Sequence, residues 1–217
     1  MCVSVAILIP TFNRPFKVPL LTRNALENAP NANVYFCCEE DDLLTIDAVM
    51  DTEGANLIIN TRTRSYSGAI NTGVLETDEA YVFAGADDLN FRPGWLELAL
   101  DMMTDQIKVV GTNDMGNPEV LAGSHATHYL VERSYALNGV IDSPGLMLFE
   151  GYDHNWTDKE FILTAQHRGA YAHCHESIVE HQHWAWNKAG IDDTYSRGMR
   201  SEAADRETFL SRQHLWK

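Results

Sequence analysis

No stretch of this 217-residue sequence approaches the ~18–20 consecutive apolar residues that a membrane-spanning helix needs. Basic residues are few: 16 Lys and Arg stand against 31 Asp and Glu, a formal charge of −15. That field repels phosphate backbones and anionic membranes, although salt limits its reach to about 8–10 Å. It disfavours a nucleic-acid partner and leaves a local basic groove as the one route to such binding. Cysteine is also scarce. Cys2, Cys37, Cys38 and Cys174 show no CxxC spacing, which excludes a disulfide framework and points to reduced thiols in a cytoplasmic compartment. The apolar start, Val3 to Ile9, has no basic flank and runs into Pro10, so it reads as a strand and not as a signal peptide. Internal repeats, low-complexity tracts and linkers are absent as well.

What is present is the profile of a soluble globular chain, 45% hydrophobic and 22% charged, of a length that suits one domain over 1–217. Val3–Ile9 is a continuous apolar run, as expected for a parallel strand buried on both faces. A helix carrying Val18, Leu21 and Ala25 on one stripe follows. Strands are expected at Asn33–Cys38, Asn56–Asn60 and Tyr81–Ala84, with a helix at Leu43–Met50 and another capped by Ser67 and running through Glu76. Such alternation, with connections too long for hairpins, predicts an α/β class domain whose central, mostly parallel mixed sheet is flanked by helices. Later segments are a strand at Ile107–Val110, a loop at Gly116–Gly123, a strand at Thr127–Arg133 and a helix at Asp158–His167. A late strand ends at Ile178–His183, and a polar amphipathic helix spans Ser201–Trp216.

Ligands of such sheets bind at the carboxyl ends of strands. Three polar clusters fall there: Thr11–Arg14, Glu39–Asp42 and Asp87–Asp88. Adjacent carboxylates at a strand end can hold a hard cation such as Mg²⁺ or Mn²⁺, which takes oxygen ligands and completes its shell with substrate phosphates. An isolated Asp-Asp is more often a turn or a helix cap, so the surroundings decide.

VAILIPTFNRP, SGAINTG and YVFAGADDLNFRPGWL, in that order and spacing, resemble the donor half of the large inverting glycosyltransferase family 2, with the Rossmann-like GT-A fold. The resemblance covers about the first 100 residues and continues loosely to His183. It implies a donor half over about 1–105, an acceptor and catalytic half over about 106–190, and a helical tail over 191–217. It implies that Pro10, Thr11, Asn13 and Arg14 contact a nucleotide. Glu39, with Asp41 next, would read the base, Asn71 with Gly68 would shape the donor pocket, and Arg64 or Arg62 would face the base or diphosphate. The family's acidic motif is usually DxD, and here its first position is Gly85. By resemblance Asp88 binds the metal and Asp87 the ribose, with the roles open to sharing. His181 would complete the metal site. Asp158, ahead of Glu160 and Asp153, would be the general base.

The expectation is a metal-dependent inverting glycosyltransferase using Mn²⁺ or Mg²⁺. It would move a sugar from a nucleotide-sugar donor, a UDP-sugar by default, onto the hydroxyl of a saccharide or small molecule. His125, His128, Arg133, Tyr135 and residues 142–152 lie where acceptor loops should be, and Trp156, Trp184 and Trp186 offer rings for a sugar to stack on. Two alternatives stand beside it: transfer to a hydroxylated base in DNA, and a non-catalytic nucleotide or sugar binder, the latter favoured by Gly85. The alternation of His173, His175, His181 and His183 also admits a zinc cluster, although no HExxH helix or cysteine pair accompanies it.

Overall fold

The computed structural model describes residues 3–216. Strand β1 (Val5–Thr11) leads through a 3₁₀ turn at Pro15–Lys17 into α1 (Val18–Asn28). Then come β2 (Ala32–Cys38), α2 (Leu43–Met50), β3 (Ala55–Ile59), α3 (Tyr66–Glu76) and β4 (Tyr81–Ala84). The second half comprises β5 (Leu89–Phe91), α4 (Trp95–Asp101), β6 (Val109–Asn113), α5 (Pro118–Leu121), β7 (Tyr129–Glu132), α6 (Arg133–Ala136), α7 (Thr157–His167), β8 (Tyr171–His181) and α8 (Asp193–Arg212). Among the described residues no helix is long and apolar enough to cross a membrane.

One eight-stranded sheet runs in the order β3-β2-β1-β4-β7-β6-β8-β5. The β1–β2, β1–β4, β2–β3 and β6–β8 ladders are parallel, whereas β7 is antiparallel to both β4 and β6, and β5 to β8. Because β7 is reversed, its N-terminal end lies at the edge where β1, β2, β4, β6 and β8 end. Residues just before β7 therefore meet residues just after the parallel strands.

The run at β1 is buried on both faces, as its composition requires. Val5, Ile7 and Ile9 join the layer beneath α1, α2 and α4 with Phe36, Phe83, Phe91 and Trp95. Ala6 and Leu8 face α3 and α7 with Ile70, Val82, Tyr129 and Phe161. Trp95 is fully buried, its ring edge-on to Phe83 at 4.8 Å, so packing accounts for it. Cys37, Cys38 and Cys174 are free and buried, while Cys2 lies outside the described residues. Burial pushes the Cys38 thiol up to about 12.

Several expectations change. Ser67 is not a cap: Ser65 Oγ accepts from Gly68 N at 3.1 Å, and Ser67 lies inside α3, where its hydroxyl meets Thr157 Oγ1 at 2.9 Å. Strand β5 adds an element that the sequence pattern does not predict, because three residues after two acids carry too little pattern. Its register, Leu89 opposite His181, matters for the site. Residues 118–121 form a helical turn within the expected loop. Strand β8 begins earlier than its apolar end suggested, and its register against β6 jumps between Thr112–Cys174 and Asn113–Ile178. The last helix starts at Asp193, not near Ser201, because Asp192 caps it by accepting from Tyr195 N at 3.0 Å.

Candidate active site

An open cavity of about 290 Å³ sits at the carboxyl edge of the sheet. Pro10, Thr11, Phe12 and Arg14 enter it from the end of β1, Glu39 from the end of β2, and Ala86–Asp88 from the end of β4. Thr127 and His128 come from the reversed start of β7, residues 153–158 from the start of α7, and His181 from β8. Thr194, Tyr195 and Arg197, on the first turns of α8, close one side.

The two adjacent aspartates are held differently. Asp87 accepts from Thr11 Oγ1 at 2.9 Å and pairs with the Arg14 guanidinium, both partners nearly fully buried. Arg14 also forks onto Asp192, with two bonds of 2.9 Å. Asp88 Oδ2 accepts from the Tyr195 hydroxyl at 2.7 Å. Asp88 Oδ1 is buried without a hydrogen bond, although His181 Nε2 lies 3.2 Å from it. The β5–β8 register, together with Gln182 N donating to Asp88 O at 2.8 Å, brings that pair together. Burial opposes the Asp88 charge, but His181, Tyr195 and His128 outweigh it and hold the carboxyl far below the usual range. Burial likewise opposes protonation of His181, yet Asp88 raises its pKa.

These atoms fit one corner of a cation site. Adjacent ligands of an octahedral ion bound at 2.0–2.1 Å stand about 3 Å apart, which matches the Asp88–His181 separation. His128 Nε2 is a further buried atom without a partner, its ring edge-on to His181 at 4.9 Å, while Nδ1 lies 3.2 Å from Ala84 O. Burial drives His128 down to about 4, leaving a neutral ring. Among the described residues no group of three or more His, Cys, Asp or Glu side chains is arranged to hold an ion, so a cation here would need oxygens from a ligand. The four late histidines do not assemble as a zinc cluster: His173 packs on His175, and His181 packs on His183.

Gly85 has a steric reason. A Cβ there would stand 2.7 Å from Ile9 Cδ1 and 3.1 Å from Leu8 O, and Tyr66 donates to Gly85 O at 3.2 Å. A side chain at this position would require Ile9 to rotate and the Leu8 carbonyl of β1 to give by a few tenths of an ångström.

Across the cavity Asp158 opens α7. Its Oδ2 lies 3.1 Å from His125 Nε2, and its Oδ1 accepts from Lys159 N at 2.8 Å. Burial would raise its pKa, but His125 and that N–H outweigh the effect and keep it ionised below the ordinary aspartate value. Trp156, the residue before α7, sits at φ 67°, a costly conformation for a bulky side chain. Its ring is held on Phe209 of α8 at 4.8 Å, and Nε1 donates to Glu202 at 2.9 Å. Asp205, also on α8, accepts from the backbone N–H groups of Asp153, His154 and Asn155 at 2.8–3.0 Å. Helix α8 thus aims the loop that delivers Asp158.

Not all of the expected residues line the cavity. Thr11, Arg14, Glu39, Arg64, Asp87, Asp88, Asp158 and His181 do, as does Pro10. Asn13 sits beside it with φ 55°, its N–H donating to Asp42 at 2.6 Å. Gly68 packs where any Cβ would meet Thr63 O at 2.0 Å. Asn71 is buried and pins residues 147–150 through Leu148 O, Glu150, Met147 N and Leu148 N. Arg64 pairs with Asp41, and Arg62 with Glu150 outside the cavity. Glu160 is taken up by Arg212 and Tyr152, Asp153 pairs with Arg197, and Arg133 staples Val74, Thr77 and Glu79. Sequence reading missed Asp192, Tyr195 and Arg197. The one local signal was the acid pair Asp192–Asp193 at a helix start.

No protein-family model matches the chain, and no curated protein matches it in sequence. Solved structures do match in shape. Mannosyl-3-phosphoglycerate synthase from Rubrobacter xylanophilus aligns with a TM-score of 0.67 at 12% identity, over 98% of this chain and 75% of that one. Glucosyl-3-phosphoglycerate synthase from Mycobacterium tuberculosis, solved with Mn²⁺, UDP-glucose and phosphoglyceric acid, aligns at 0.63 and 14%, over 97% and 79%. The same enzyme with glycerol 3-phosphate aligns at 0.62 and 15%, over 97% and 80%. The shared architecture, a mixed sheet flanked by helices, identifies the fold of this chain as the GT-A fold.

Proposed function

We propose that this protein is a glycosyltransferase that moves a sugar from a nucleotide-sugar, a UDP-sugar first, onto the hydroxyl of a small soluble acceptor. The observation that carries the reading is the pairing, in one cavity, of a cation corner (Asp88 and His181) with an ionised base (Asp158 held by His125). The similar structures lend support: one was solved with Mn²⁺, UDP-glucose and phosphoglyceric acid. Fold likeness alone does not establish activity, so the site must carry the argument.

In this reading Asp88 and His181 would hold Mn²⁺ or Mg²⁺. When bound, the ion supplies Lewis-acid stabilisation of the charge on the departing nucleoside diphosphate. Thr11 and Arg14 position Asp87 toward the ribose, and Glu39 stands at the base end with Arg64 near it. Asp158 takes the proton from the acceptor hydroxyl as that oxygen attacks the anomeric carbon from the face opposite the diphosphate. The configuration then inverts. His125 keeps the Asp158 carboxylate turned to the cavity, and His128, neutral, adds no competing charge. Trp156 and His154 border the space left for an acceptor. A cytoplasmic location is part of the same proposal.

The test is thermal unfolding against nucleoside diphosphates, each with and without Mn²⁺. A ligand at 100 times its dissociation constant stabilises by about 2.7 kcal/mol. UDP with Mn²⁺ is expected to raise Tm, and Asp88→Ala to abolish the part that depends on Mn²⁺. No shift with any nucleotide would sink the proposal.

A further inference from the structure

Tyr195 reaches Asp88 from 107 positions along the chain, on a helix turn outside the motifs that carried the sequence reading. We infer that Tyr195 is a positioning residue of the cation site, and that the first turn of α8 is part of that site. The inference rests on the functional reading above and deepens it.

A carboxylate that can rotate offers an ion either oxygen, or both. Here one oxygen is committed. Asp88 Oδ2 accepts from the Tyr195 hydroxyl at 2.7 Å, a short charge-assisted bond. Oδ1 is thereby turned to His181 Nε2, buried and without a hydrogen bond. The tyrosine fixes which atom of Asp88 is available.

The tyrosine is itself fixed from three sides. Its ring lies under the Arg14 guanidinium at 4.4 Å and edge-on to His183 at 4.8 Å. Its backbone N–H donates to Asp192, the cap of α8, and Asp192 forks onto Arg14. Thr194 Oγ1 adds a 3.2 Å bond to Phe12 O, which ties the same turn to the end of β1. The outcome is a division of labour between neighbouring acids. Arg14 neutralises Asp87, while Tyr195 holds Asp88 without neutralising it. The Asp88 charge is thereby left for a cation, at a motif whose first position is a glycine packed against β1. Groups that orient metal ligands in this way typically matter 10–100-fold in metal affinity.

Tyr195→Phe tests this, because it keeps the ring under Arg14 and removes only the hydroxyl. Free Mn²⁺ is counted by electron paramagnetic resonance while protein is titrated in the presence of saturating UDP. Mn²⁺ affinity is expected to fall 10–100-fold, with UDP affinity in the absence of metal unchanged within twofold. In turnover the Mn²⁺ concentration for half-activation should rise by the same factor, and kcat at saturating Mn²⁺ should largely return. Tyr195→Phe with wild-type Mn²⁺ affinity would overturn the inference and leave the proposed function standing. A folded wild-type protein that takes up no Mn²⁺ with UDP would overturn both. A fall in kcat that excess Mn²⁺ does not recover, with unchanged Mn²⁺ affinity, would make Tyr195 a structural residue and sink the inference alone.

Discussion

At the residue scale the cavity separates two kinds of carboxylate. Asp88 is bound by groups that leave one oxygen open, and Asp158 by a histidine that leaves it charged and facing the cavity. A base lost from such a site typically costs 10²–10⁴ in rate. Asp158→Asn should therefore lower kcat by about that factor while the Mn²⁺-dependent stabilisation by UDP persists. Proton NMR of the product anomer checks the stereochemical part, and retention of configuration would remove Asp158 from its role as base. The sequence placed Asp158 at a helix start and Asp88 at a strand end, because both positions follow from local pattern. It named His125 only for an acceptor loop and did not name Tyr195; these reach the acids across 33 and 107 residues. Gly85 read as a missing acid in the sequence; the fold shows it as a close contact of β4 with β1.

At the element scale α8 does more than cover a face. Its first turn meets Asp88 and Arg14, and its middle captures the loop before α7 through Asp205. Three backbone N–H groups converge on one buried carboxylate, and each would be left unsatisfied if it were removed. Asp205→Ala should destabilise the fold by about 3 kcal/mol, a Tm drop of roughly 6–12 °C for a domain of this size. Below that Tm, kcat should fall with UDP affinity preserved, since the loop aims Asp158 and not the donor pocket. Calorimetry and steady-state kinetics on the same preparation check both parts. Legibility followed the strength of local pattern. The first four strands were found to within two residues at each end and α1–α3 in their places, because their apolar runs are long and bounded by Pro, Gly and acids. Strand β5 and the start of α8 were not, because the pairing partner that makes each one structural lies far along the chain.

At the scale of the whole molecule the acidic chain carries a set of neutral histidines, His128 buried and His173 and His183 half-buried. Burial pushes His128, His173 and His183 down to about 4, with a neighbouring histidine adding to the effect in each case. An unfolded chain titrates its histidines near 6.5. Above about pH 6.5 these groups are neutral in both states and leave stability unchanged. As pH falls from about 6.5 to about 4, the unfolded chain takes up protons that the folded one refuses, and stability is lost. His154 is lowered as well, and His181, whose pKa is raised beside Asp88, works in the opposite sense but is one group against four. Tm should therefore decline steadily between pH 6.5 and 4, and the decline should be shallower in His173→Asn. A flat Tm over that window would contradict the neutral state of these rings.

The sequence by itself determined the α/β class, the parallel first half of the sheet and three of the polar clusters at its carboxyl edge. Those follow from hydrophobic period, chain breakers and the rule that loops after parallel strands share one edge. Tertiary structure alone decided that β7 runs antiparallel, that β5 brings Asp88 to His181, and that the far end of the chain returns to finish the site. These are consequences of long-range pairing, and a pairing partner leaves no mark on the local pattern of either segment.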